Sequence, residues 1–88
     1  MIRQEITINN PSGLNLRPAG VLCRTAIDFQ SHITFSIDKV TANAKSVLSV
    51  LGACVKTGDT ITLECDGPDE ADAMQALVEV IEAGLEDE

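Results

Sequence analysis

Two stretches of the chain alternate strictly between apolar and polar residues. Ile33, Phe35 and Ile37 interleave with Thr34, Ser36 and Asp38, and Ile61, Leu63 and Cys65 interleave with Thr60, Thr62 and Glu64. Successive side chains on a strand point to opposite faces, so a period of two gives each strand one apolar and one polar side. A sheet made of such strands needs a cover on one face only. The same chain supplies that cover at helical spacing: Leu22, Ala26 and Phe29, with Ala19 and Val21 beside them, and later Met74, Leu77, Val78, Ile81 and Leu85.

The connecting segments complete the order. Residues 2 to 9 alternate as a half-buried strand, with Ile2, Ile6 and Ile8 on one side and Gln4 as the flaw. Asn9 to Gly13 is dense in turn formers, and Pro18 presets the φ of a helix's first turn, so a helix is expected over about 17–28. After a turn near Asp38-Lys39, residues 40–43 form a short returning strand. Ser46 is a good N-cap for a short helix carrying Val47, Leu48, Val50 and Leu51, which Gly52 closes. Lys56 to Asp59 breaks the chain before the fourth strand. Asp69 is placed to cap the last helix, with Glu70 and Asp72 in its first turn, and Gly84 marks a fraying end. The order β-α-β-β-α-β-α predicts one α+β domain over 1–88. It is an open-faced sandwich, a four-stranded antiparallel sheet covered on one face by three helices.

Composition narrows the function. A chain at net charge −8, with 2% aromatic residues and neither Trp nor Tyr, lacks the positive charge and stacking rings that nucleic acids require. The same balance argues against anionic membranes. No apolar run reaches the roughly 20 residues of a spanning helix, and MIRQEITINN lacks the apolar region of a signal peptide, so a cytoplasmic protein is expected. Cys23, Cys54 and Cys65 are odd in number and widely spaced, a pattern that suits reduced, buried thiols rather than disulfides or zinc. His32 is the single histidine, which leaves little for a metal centre or a general base. No cofactor is implied.

Two segments carry residue choices beyond folding: Asn15-Leu16-Arg17-Pro18 and Lys45-Ser46. Each sits at an expected helix start, where unpaired N–H groups favour an anion. The bland reading makes Asn15 and Ser46 simple N-caps, about 1 kcal/mol each, with Arg17 and Lys45 as solvated charges. The alternative is a pair of phosphoryl-handling positions.

Along essentially its whole length the chain resembles the HPr proteins, phosphocarriers of the bacterial phosphoenolpyruvate-dependent sugar phosphotransferase system. The resemblance is carried by GLNLRPA at 13–19, Phe29, NAKSVLSVL at 43–51 and DGPDEADAMQAL at 66–77. It implies a protein that is not an enzyme. In that family the signature G-L-H-x-R-P-A supplies a histidine that takes a phosphoryl group from enzyme I and passes it to enzyme IIA, with the neighbouring Arg steadying the charge. Here the histidine position is Asn15 and the Arg is Arg17. The lone pair of a carboxamide nitrogen is delocalised into its carbonyl, so Asn15 is no nucleophile for phosphorus and relay through it is expected to be absent. His32, on another segment, does not substitute.

The second motif is intact. By the resemblance Ser46 is the acceptor for HPr kinase/phosphorylase, and the product is a corepressor for the catabolite control repressor, with Arg17, Val47, Leu48 and Leu51 forming the contact surface. The chain thus looks like the Crh variants of the family, in which glutamine replaces the histidine and only the regulatory serine is used. Leu16 and Gly20 stand where the family usually has a small and a hydroxylated residue, and Cys54 stands where glycine is common. Two other readings stay open: a phosphocarrier whose histidine has been substituted by Asn, and an interaction module of the same fold without phosphorylation.

Overall fold

The structure, a computed structural model, describes residues 1–86. Seven elements follow in the expected order: β1 Ile2–Thr7, α1 Leu16–Ile27, β2 His32–Ile37, β3 Val40–Asn43, α2 Val47–Gly52, β4 Thr60–Asp66 and α3 Glu70–Glu82. The strands form one antiparallel sheet in the order β1-β4-β2-β3, so the two cleanly alternating segments, β2 and β4, are the central strands. Their register sets Phe35 opposite Leu63 and Ile33 opposite Cys65, which puts four fully buried side chains on one face. Thr34, Ser36, Thr62 and Glu64 occupy the other face, open to solvent.

All three helices cover the apolar face. Helix α1 contributes Ala19, Val21, Leu22 and Ala26, and α3 contributes Ala73, Met74, Leu77 and Ile81. Helix α2 contributes Val50, with Leu51 partly buried against the core. Burying side chains such as Leu22, Phe35 and Leu77 stabilises the fold by about 1.5–3 kcal/mol each.

Several local expectations are corrected. Strand β1 stops at Thr7, and Ile8 is instead held in a loop: its N–H donates to the Asp59 carbonyl at 2.8 Å and its carbonyl accepts from Gly58 at 2.7 Å. Helix α1 ends at Ile27, so Phe29 lies past it and is half-buried. Gly52 is not the reversal that closes α2 but its last helical residue, and the reversal falls on Cys54 at φ 55. Cys54 therefore takes the left-handed position that glycine usually fills, its N–H donating to Leu51.

The end of α3 is not frayed. Gly84 N–H donates to Ile81 and Leu85 N–H to Val80, the two bonds of a Schellman cap, and Leu85 is folded back into the core. At the other end of α3, Asp69 holds the N-cap position without capping. Its carboxylate instead accepts from the N–H groups of Gln30 and Ser31, both at 2.9 Å, and from the Ser31 hydroxyl at 2.5 Å. It thus ties the α1–β2 loop to α3. Those donors favour the ionised form, and the Ser31 hydroxyl first, then Gln30, holds the Asp69 carboxyl below its usual value.

Candidate functional site

Asn15 sits at the N-cap of α1 with extended backbone, φ −79 and ψ −177, and its carbonyl accepts the first helical bond from Ala19 at 2.8 Å. Its side-chain Oδ1 accepts from Leu16 N–H at 2.9 Å. Pro18 has no N–H, so of the first-turn donors the Arg17 amide is the one left over. The Arg17 side chain is exposed and makes no hydrogen bond or ion pair among the described residues. The start of α1 therefore presents a neutral carboxamide already bonded to its own helix, with an exposed cation next to it.

The loop presenting Asn15 is braced from below. Asn10, buried, donates through Nδ2 to the Gly13 carbonyl at 2.7 Å. Leu14 N–H donates to the Val55 carbonyl at 3.0 Å, and Gly13 at φ 62 lies flat on the segment 55–57. Position 15 is thus fixed against the segment that follows α2. Asn15, Arg17 and Pro18 line one side of an open groove of about 430 Å³, and Gly84, Leu85 and Glu86 line the other. That second wall is not legible in the sequence, because it depends on the Schellman cap turning the chain after α3. A larger depression of about 530 Å³ crosses the open face of the sheet, where Arg3 pairs with Glu64 at 2.9 Å. It holds none of the motif residues.

Ser46 is the N-cap of α2. Its Oγ accepts from Ser49 N–H at 3.2 Å, its own N–H donates to the Asn43 carbonyl at 3.1 Å, and its side chain is partly exposed. Lys45 is neither a solvated charge nor a partner of Ser46. Its Nζ donates to the Phe29 carbonyl at 2.6 Å, just past the end of α1, and its own carbonyl accepts from the Cys23 thiol at 3.2 Å. A cation there complements the negative end of α1.

Of the three apolar residues expected at a partner surface, Leu48 is 82% exposed, while Val47 and Leu51 are half-buried. Val50 takes the core-facing place in that turn. Leu16, at the start of α1, adds a second exposed apolar side chain at 65%. Gly20, one turn further along, leaves open space where a side chain would stand.

The cysteines are all free, but only Cys65 is buried; Cys23 is half-buried and Cys54 exposed, against the expectation of three buried thiols. Cys54 is exposed because it forms the helix reversal. Burial pushes the Cys65 thiol up to about 11, with Glu70 and Asp69 adding to it. Among the described residues no cluster of His, Cys, Asp or Glu has the arrangement of a metal site, and no helix is long and apolar enough to cross a membrane.

Comparison with known proteins bears on this geometry. The family described as the PTS HPr component phosphorylation site matches residues 2–83. The HPr-like protein Crh of Halalkalibacterium halodurans is 35% identical over 82 residues, 93% of this chain and 98% of its own. The phosphocarrier protein HPr of Cupriavidus necator is 38% identical over 81 residues, 92% of this chain and 91% of its own. The crystal structure of HPr-C-His from Thermoanaerobacter tengcongensis superposes with a TM-score of 0.95 at 36% identity, covering 100% of this chain and 99% of that one.

Proposed function

Since the chain belongs to the HPr family, whose members are phosphocarrier proteins and not enzymes, we propose that it is a member that does not carry phosphate at residue 15 and acts through phosphorylation of Ser46. The observation that carries this reading is the state of Asn15. Its amide nitrogen has no lone pair to offer, and its oxygen is already bonded to Leu16 N–H at 2.9 Å. Arg17 beside it has a charge to give but no phosphoryl group to stabilise.

Ser46 has what Asn15 lacks: a hydroxyl nucleophile, partly exposed, on a hydrogen-bonded turn. A phosphate there adds roughly −1.5 to −2 charges. At a helix start such a charge leaves the fold intact and creates a ligand for a basic surface. Arg17, Val47, Leu48 and Leu51 provide the adjoining contact area, of which the exposed Leu48 side chain is the largest single part. The partners on this reading are HPr kinase/phosphorylase and a catabolite control repressor, and the setting is the cytoplasm. Similarity to Crh of Halalkalibacterium halodurans supports the regulatory role. The departures at Leu16 and Gly20 support divergence of the whole rim rather than one isolated exchange.

The test is phosphoryl relay. Incubated with enzyme I and phosphoenolpyruvate and then weighed intact, the protein is expected to gain nothing. An acid-labile phosphate on the unaltered chain contradicts the proposal. Asn15→His separates the two histories: full relay points to a carrier that lost only its histidine, and continued failure points to the altered rim.

A further inference from the structure

We propose that Ser49 is the positioning residue for the modified state, its hydroxyl donating to the phosphate once Ser46 carries one. This rests on the reading of Ser46 as the acceptor. The Ser46 side chain is held by a single long bond, 3.2 Å from Ser49 N–H. Lys45, the cation next to it in sequence, is committed to the Phe29 carbonyl. The neighbouring cation is therefore not available to a phosphate on Ser46, and α2 offers only a six-residue helix beside it.

Ser49 supplies the missing donor. Its Oγ accepts from the backbone N–H of Asn43 at 2.9 Å, while its own hydroxyl proton has no acceptor among the described residues. The amide and hydroxyl of one serine diverge from the same Cα, and the amide already meets Ser46 Oγ. Esterification attaches three acceptor oxygens to an oxygen that already lies 3.2 Å from the Ser49 amide. The result is a chain of donors running from Asn43 N–H through the Ser49 hydroxyl to a phosphate oxygen. Each bond polarises the next, and the last is charge-assisted. Asn43 fixes the geometry from the other side, its Oδ1 accepting Lys45 N–H at 2.9 Å and its carbonyl accepting Ser46 N–H.

A donor to the phosphate favours its dianion, so the role is read from the second ionisation of the phosphate. The full chain with phosphoserine installed at residue 46 during synthesis is titrated by phosphorus NMR, beside Ser49→Ala and Ser49→Thr forms. Removing the hydroxyl is expected to raise the second pKa by about half a unit, and threonine to restore it. Equal values for serine and alanine overturn the proposal. If the alanine form does not fold, Ser49→Thr against Ser49→Val gives the same comparison at matched shape. Because the phosphate is installed without a kinase, a failure here is distinct from a failure of Ser46 to be phosphorylated, which a kinase reaction reports separately.

Discussion

Gly13 is the position where one added methyl group does most damage to the site without touching a site residue. At φ 62 an L-residue carries left-handed strain of about 1–2 kcal/mol. A Cβ there would lie 2.7 Å from the Val55 carbonyl oxygen, 2.9 Å from Lys56 Cα and 3.0 Å from Thr57 N. All three are backbone atoms that no rotamer change removes. Lifting the loop off them stretches the 3.0 Å bond from Leu14 to Val55. Overpacking of this kind costs about 1–3 kcal/mol, and the stiffer unfolded chain returns about 0.5–1 kcal/mol. For Gly13→Ala the net loss is about 2–4 kcal/mol. A domain of this length holds about 4–13 kcal/mol in total, and each kcal/mol moves the midpoint by roughly 4–8 °C. Thermal unfolding followed by circular dichroism is expected to show a midpoint lowered by roughly 10–30 °C. Gly20→Ala is the control: it lies inside α1 with nothing within 4 Å of the new Cβ, so it gains about 0.5–1 kcal/mol. A Gly13→Ala protein that melts with its parent refutes the claim that this loop is clamped on segment 55–57.

Two more perturbations follow from the geometry. With an aromatic disulfide reagent at neutral pH the thiols are expected to react in the order Cys54, Cys23, Cys65. The last should react only on unfolding, because it is buried and its thiol is pushed up to about 11; early labelling of Cys65 counts against the packing of β4. The depressed Asp69 carboxyl contributes stability that is fully present above its unfolded value and lost as pH falls through its folded value. Urea midpoints are therefore expected to hold from neutral pH down to the carboxylate range and then drop. Asp69→Asn should lower the neutral plateau and flatten the drop, and an unchanged acid limb would show that the Ser31 contact contributes nothing.

What the sequence disclosed and what it hid divide by the range of the interaction. The alternation of Ile33 to Ile37 and Ile61 to Cys65 located the central strands because facing is a local property of the backbone. The N-caps Asn15 and Ser46 were legible for the same reason. Asp69 reads as a cap in the sequence because its partner, Ser31, is 38 residues away and only the packing of α1 against α3 brings it near. Lys45 reads as a solvated charge for the same reason, since the Phe29 carbonyl comes within reach only after α1 and α2 dock. Gly52 misled because a glycine near a helix end is a propensity and not a rule. The helix runs through Gly52 itself, and the left-handed position falls two residues later, on Cys54. The groove beside Asn15 was invisible for a related reason, as one wall belongs to residues 84–86.

The account stands on one division of labour, residue 15 silent and residue 46 modified. Intact-mass measurement after incubation with HPr kinase and ATP, on the parent and on Ser46→Ala, tests it most directly. The account predicts one acid-stable phosphate on the parent and none on the variant. A parent that stays unmodified, or a variant that still takes up phosphate, contradicts it.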